Sequence, residues 1–163
     1  MVALLAVLAG VAITLEAARF SYEPLNRVLV RLLKPLLKKD EDHKVTAATF
    51  MIIASLGCFL FFDKGIAVAA LLFLAVGDPA AALVGSRARG LRLWGKSPWG
   101  TLAMFFVAAA LALILWSTDV ASPLWALLVG GLVAAVAEIL PLRLDDNATV
   151  PLISGGAMAL MTL

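Results

Sequence analysis

The stretch GDPAAALVGSRARGLRLWGKSPWGT, residues 77–101, decides the fold. It begins inside a long apolar run, with Asp78 set between Gly77 and Pro79. It leaves that run through a short basic loop bearing Arg87, Arg89, Arg92 and Lys96, and re-enters apolar sequence at Ser97-Pro98. Ser followed by Pro reads as a helix start, with Ser at the N-cap and Pro at the first helical position. The stretch is therefore a polar hairpin between two apolar helices, and the length of those helices identifies the solvent around them.

Working outward, apolar blocks lie at 2–15, 45–62, 65–84, 101–116, 123–140 and 149–163. A straight membrane span takes about 20 residues, with a range of roughly 17–25. The first, fourth and last blocks are short and need flanking residues, tilt or a thinner bilayer. The chain of 163 residues is 63% hydrophobic, with a mean hydropathy of +1.04; soluble domains are about 45–50% apolar. The fold class expected is an all-α integral membrane protein, a single polytopic domain over 1–163 with about six transmembrane helices. The apolar start has no positive residue ahead of it and reads as a first span rather than a signal peptide. Cys58 is the only cysteine, which excludes an intrachain disulfide and a cysteine metal cluster.

Residues 19–44 alternate leucines and valines with Arg27, Arg31, Lys34 and Lys38, which predicts an interfacial amphipathic helix, bent near Pro35. Lys and Arg concentrate in 19–44, where there are seven, and in 87–96, where there are four. By the positive-inside rule both segments face the cytoplasm and the N-terminus lies outside. The loops holding Asp40 to Lys44, the basic segment 85–100, and Arg143 to Asn147 then share one side, where cytoplasmic nucleotide is found. No nucleic-acid partner is expected.

Asp78 is the most informative residue. An ionisable group within a span costs several kcal/mol if it faces lipid, from about 2.5 upward, so it should face the bundle interior, paired or metal-bound. Gly77 and Pro79 mark a place where the helix is expected to break. GLRLWGKS, residues 90–97, satisfies the pattern G-x-x-x-x-G-K-[ST], but that motif requires a preceding strand and a βαβ unit. An apolar helix precedes it here, so a P-loop ATPase fold is excluded. The local chemistry still applies: backbone N–H groups at a helix start, with Lys96 beside them, favour phosphate. His43 lies in DEDHKVTAATF at the mouth of the second span. Glu138 ends the fifth span, and Asp145, Asp146 and Asn147 offer oxygen ligands of the kind Mg²⁺ uses, or else a turn and N-cap before the last helix. Topology brings these residues to the same side as Asp78.

Three segments taken in order, DPAAALVG (78–85), GKSPWGT (95–101) and EILPLRLDDNATVPLISG (138–155), resemble the CTP-dependent lipid-alcohol kinases. These comprise dolichol or polyprenol kinase, phytol kinase and the CTP-type diacylglycerol kinase, with phosphatidate cytidylyltransferase more distant. The resemblance covers roughly 40–156. It implies that Asp78 takes part in metal and nucleotide binding, and that Lys96, Ser97, Gly100 and Thr101 form a nucleotide-binding motif. It also matches Asp146, Asn147, Val150 and Pro151 to a third motif, and HKVTAAT (43–49) to a stretch that brings in His43 and Lys44. Many members of that family carry Glu where this chain has Trp99; if that Glu holds metal or takes a proton, another carboxylate, Asp78, Glu138 or Asp146, must do so here.

The expectation is transfer of the γ-phosphoryl group of CTP to the hydroxyl of a membrane lipid alcohol. Asp78, Lys96 and Glu138 would be catalytic; His43, Lys44, Arg87, Lys96, Ser97, Gly100, Thr101 and Asn147 would bind nucleotide; Asp78 and Asp146 would hold Mg²⁺. The alternatives are a cytidylyltransferase, which releases pyrophosphate, and a small transporter using Asp78 for an ion. The transporter predicts polar residues on both sides of the membrane, and the outer loops are nearly bare. Partners are CTP, the lipid alcohol and the bilayer, with room for a homo-oligomer.

Overall fold

The computed structural model describes residues 1–24, 26–27, 44–118 and 122–163. Six helices account for most of them: α1 (Val2–Ser21), α2 (Ala47–Phe61), α3 (Lys64–Arg87), α4 (Pro98–Ser117), α5 (Leu124–Ile139) and α6 (Asp146–Met161). Each falls on one of the six apolar blocks, and the protein is an all-α membrane protein. The predicted interfacial helix lies mostly outside the described residues, and so does His43.

Three helices, α1, α3 and α4, are long and apolar enough to cross a membrane. At 1.5 Å per residue the 15 and 16 residues of α2 and α5 span only about 24 Å, less than a hydrocarbon core of about 30 Å. A bilayer around them must thin or recruit flanking residues.

The first helix draws on residues beyond its short apolar block, as that shortness required, and runs to Ser21, with Glu16 and Arg19 paired to each other inside it. One expectation about helix limits is corrected. The third helix does not break at Gly77 or Pro79 and continues from Lys64 to Arg87. A proline removes one backbone bond, and neighbouring helices in a membrane bundle hold the helix together around that gap.

Helix α3 is the hub, packing against α2, α4, α5 and α6, while α1 leans on α2. The core joins Phe73 and Ile66 of α3, Met104 of α4, Leu127 of α5, and Val150 and Met158 of α6, all fully buried. Between lipid-soluble helices there is no hydrophobic drive to associate, so close van der Waals approach through small residues must supply the attraction. Ala67, Ala69 and Ala70 on α3, and Ala134 and Ala135 on α5, provide it. The closest approach of one backbone to another is at Gly100, where a Cβ would stand 2.7 Å from the carbonyl oxygen of Ala81 and 3.5 Å from Gly85 Cα. Backbone, unlike a side chain, cannot swing aside. Gly100→Ala should therefore lower stability by about 1–3 kcal/mol, read as a drop in melting temperature in detergent; an unchanged melt would mean that α3 and α4 separate freely.

The four tryptophans are all exposed. Trp94 and Trp99 lie in the α3–α4 hairpin and the first turn of α4, and Trp116 and Trp125 lie at the opposite end of the bundle.

Candidate active site

The turn that carries Lys96 is a two-residue hairpin. Leu93 and Lys96 exchange backbone bonds, N–H to O at 2.8 and 2.9 Å. Between them Trp94 and Gly95 both have positive φ, 49° and 89°. This is the signature of a type I′ turn, which accepts glycine readily and a tryptophan only at a cost. Arg92 braces the turn from behind, its guanidinium donating to the carbonyls of Gly95 at 3.3 Å and Gly85 at 3.4 Å. Gly95→Ala places a Cβ in the left-handed region, which costs about 1–2 kcal/mol. The expected result is a weakened turn, with a several-fold fall in activity and a melting temperature lower by a few degrees, measured side by side with wild type.

From this turn Lys96 reaches across to two other helices. Its Nζ donates to Asp146 Oδ2 at 2.7 Å and to the backbone carbonyl of Glu138, and lies 3.2 Å from Glu138 Oε1. An ammonium has three donors, and each finds an oxygen. The positions have an electrostatic reason. Glu138 lies in the last turn of α5, where free carbonyls carry partial negative charge that favours a cation, and Asp146 opens α6, where free N–H groups favour an anion. Lys96 thus links the end of α5 to the start of α6. Burial opposes its charge, but the hydrogen bond and charge of Asp146, with those of Glu138, outweigh this and raise the pKa of the ammonium above its ordinary value.

Glu138 is 7% exposed. Asp78, half-buried on α3, lies close enough for its charge to act on Glu138. Acids from two helices therefore meet one ammonium, and a third acid, Asp78, acts on Glu138 beside them, so carboxylates outnumber the lysine. Among the described residues no three acidic, histidine or cysteine side chains form a ready-made metal cluster. The surplus of carboxylate suits a hard cation held by one or two carboxylates and completed by phosphate oxygens and water, the usual mode of Mg²⁺.

The other expected residues are distributed as follows. Ser97 is buried at the N-cap of α4, and its hydroxyl makes no capping bond. Thr101 Oγ1 is buried without a hydrogen-bond partner. Gly100 is buried in the α3–α4 crossing described above. Asn147 donates its backbone N–H and its amide to Asp145 Oδ1, at 2.9 and 2.6 Å, so Asp145 is the cap of α6 and Asp146 is left to meet Lys96. Arg87 is exposed and donates to the Leu83 carbonyl at 3.2 Å. With Val84, Ala88 and Trp99 it lines an open cleft of about 410 Å³. Trp99 thus faces this cleft. Lys44 is exposed just ahead of α2.

One buried polar group was not anticipated from the sequence: Glu16 and Arg19 on α1, which bind the segment 44–49. The signal available was an acid and a base at i and i+3, the spacing of neighbours on a helix surface, directly after an apolar block.

The chain is similar to CTP-dependent diacylglycerol kinase 1 of Eremothecium gossypii, with 26% identity over a 170-residue alignment that covers 86% of this chain and 52% of that protein. The chain thus spans about half the length of the curated relative it matches. This similarity bears out the resemblance to CTP-dependent lipid kinases. No protein-family model matches the chain, and no solved structure matches it.

Proposed function

We propose that the protein transfers the γ-phosphoryl group of CTP to the hydroxyl of a membrane lipid alcohol, releasing CDP and a lipid phosphate. The observation that carries this reading is the meeting of Lys96 with Glu138 and Asp146 beside Asp78. Side chains from a hairpin and three helices form one charged cluster at the end of an otherwise apolar bundle. The similarity to a protein named as a CTP-dependent diacylglycerol kinase supports it, and favours diacylglycerol over dolichol, polyprenol or phytol as acceptor.

Phosphoryl transfer depends mainly on positioning and charge neutralisation. Lys96 and the start of α4, with the free hydroxyls of Ser97 and Thr101, would hold the triphosphate. Asp78 and Asp146 would hold Mg²⁺, which when bound neutralises phosphate charge. The lipid hydroxyl oxygen forms the new bond to the γ-phosphorus as the bond to CDP breaks, and its proton passes to Asp78 or Glu138. By charge distribution the pocket faces the cytoplasm and the N-terminus lies outside, and the lipid tail stays among the helices while its hydroxyl rises to the interface.

The test is purified protein supplied with labelled CTP, ATP or GTP and a panel of lipid alcohols. The expected products are CDP and phosphorylated lipid from CTP alone. Pyrophosphate and a CDP-lipid would instead identify a cytidylyltransferase, and no product from any pairing would end the reading.

A further inference from the structure

Near the last turn of α1 the guanidinium of Arg19 donates to Glu16 Oε2 through Nε at 3.1 Å and Nη2 at 2.7 Å. The two side chains are only 5% and 10% exposed. A buried ion pair is seldom more stable than apolar residues of the same volume, so a pair in this place calls for a reason beyond holding α1. The remaining bonds supply one. Glu16 Oε1 accepts the backbone N–H of Thr46 at 2.9 Å and the hydroxyl of Thr49 at 3.2 Å, and Arg19 donates to the carbonyl of Lys44. Thr46 is the N-cap of α2, its own hydroxyl accepting the N–H of Thr49 at 3.3 Å. The pair therefore grips the entry of α2 at three residues.

That entry lies at the same end of the bundle as the charged cluster. Gly57 on α2 lies against Leu152, and Phe62 against Gly155, so α2 and α6 run side by side in the same direction. Ala47 precedes Gly57 by more residues than Asp146 precedes Leu152. The start of α2 thus projects about one helical turn beyond Asp146, on the side where Lys96 meets the acids. We propose that Glu16 and Arg19 are positioning residues, clamping the backbone of 44–46 so that the Lys44 ammonium is presented to the polyphosphate of the nucleotide. This rests on the proposed kinase reading and assigns α1, the most peripheral helix, a part in nucleotide affinity.

The test compares wild type with Glu16→Gln, Arg19→Lys, Lys44→Met and the double variant Glu16→Gln/Lys44→Met. The readouts are equilibrium CTP binding, steady-state kinetics and melting temperature. Loss of one charge-assisted contact should weaken CTP binding and raise its KM by about tenfold in Glu16→Gln and in Lys44→Met, with kcat and the KM for lipid nearly unchanged. Because Glu16 acts through Lys44, the double variant should be no worse than Lys44→Met alone. Arg19→Lys, which keeps the charge, should fall between wild type and Glu16→Gln. Normal CTP affinity in Glu16→Gln, or additive losses in the double variant, overturns the proposal even if melting temperature falls, while wild-type turnover of CTP leaves the kinase reading standing. A wild type that binds no nucleotide overturns both.

Discussion

Lys96→Met should lower turnover with CTP by about 10²–10³-fold, the usual cost of removing a preorganised group that stabilises developing charge. The variant should still insert in the membrane, because the lysine sits in the hairpin and not in a span. It will also be less stable, since Glu138 is left buried without its cation. Breaking a fully buried pair costs about 3–5 kcal/mol, and the loss here should be smaller because Lys96 and Asp146 keep about a third of their side-chain surface. Adding Glu138→Gln isolates the stability effect: it should restore part of the melting temperature of Lys96→Met. If Lys96→Met keeps near-normal turnover despite a lower melting temperature, Lys96 is a structural tie and not a phosphate ligand. The raised pKa of the ammonium fixes the pH behaviour. A raised folded-state value means that its stabilising contribution is complete below the unfolded lysine value of about 10.4 and is lost only as pH rises through the higher folded value. Any loss of activity between neutral pH and pH 9 must then come from another group.

Asp78→Asn is expected to remove nearly all activity, about 10²–10⁴-fold if the carboxylate accepts the hydroxyl proton. Melting temperature should hold or rise, because an ionised group is taken out of a membrane helix and one negative charge is removed from beside Glu138. That opposition of effects is diagnostic: a residue kept for packing would lose stability first. Near-normal turnover would remove Asp78 from the mechanism and leave Glu138 as the proton acceptor.

Most of the fold was legible because each span is a block of apolar residues and the blocks are separated by charge or proline. The start of α4 was also legible, since Ser97 and Pro98 are chemically committed to a helix N-terminus. The pairing of Glu16 with Arg19 was not legible, because sequence displays charges singly, whereas the fold neutralises them as a pair. Pro79 reads as a break because local rules count the lost hydrogen bond and not the helices around it. Asp78, Lys96, Glu138 and Asp146 could be nominated from chemistry and from the side of the membrane that topology assigned. That Lys96 contacts both the end of α5 and the start of α6 could not, since it depends on a positive-φ Trp94 that no propensity favours.

The placement of the tryptophans gives the bundle a built-in depth gauge. Trp99 and Trp116 are 17 positions apart on one continuous helix, about 25 Å along its axis, and indole rings settle at the two water–lipid boundaries. Fluorescence quenching by lipids brominated at graded distances along the acyl chain would therefore report where the lower and upper rings sit. The ring beside Lys96 marks the level at which a lipid headgroup and a dissolved nucleotide can meet.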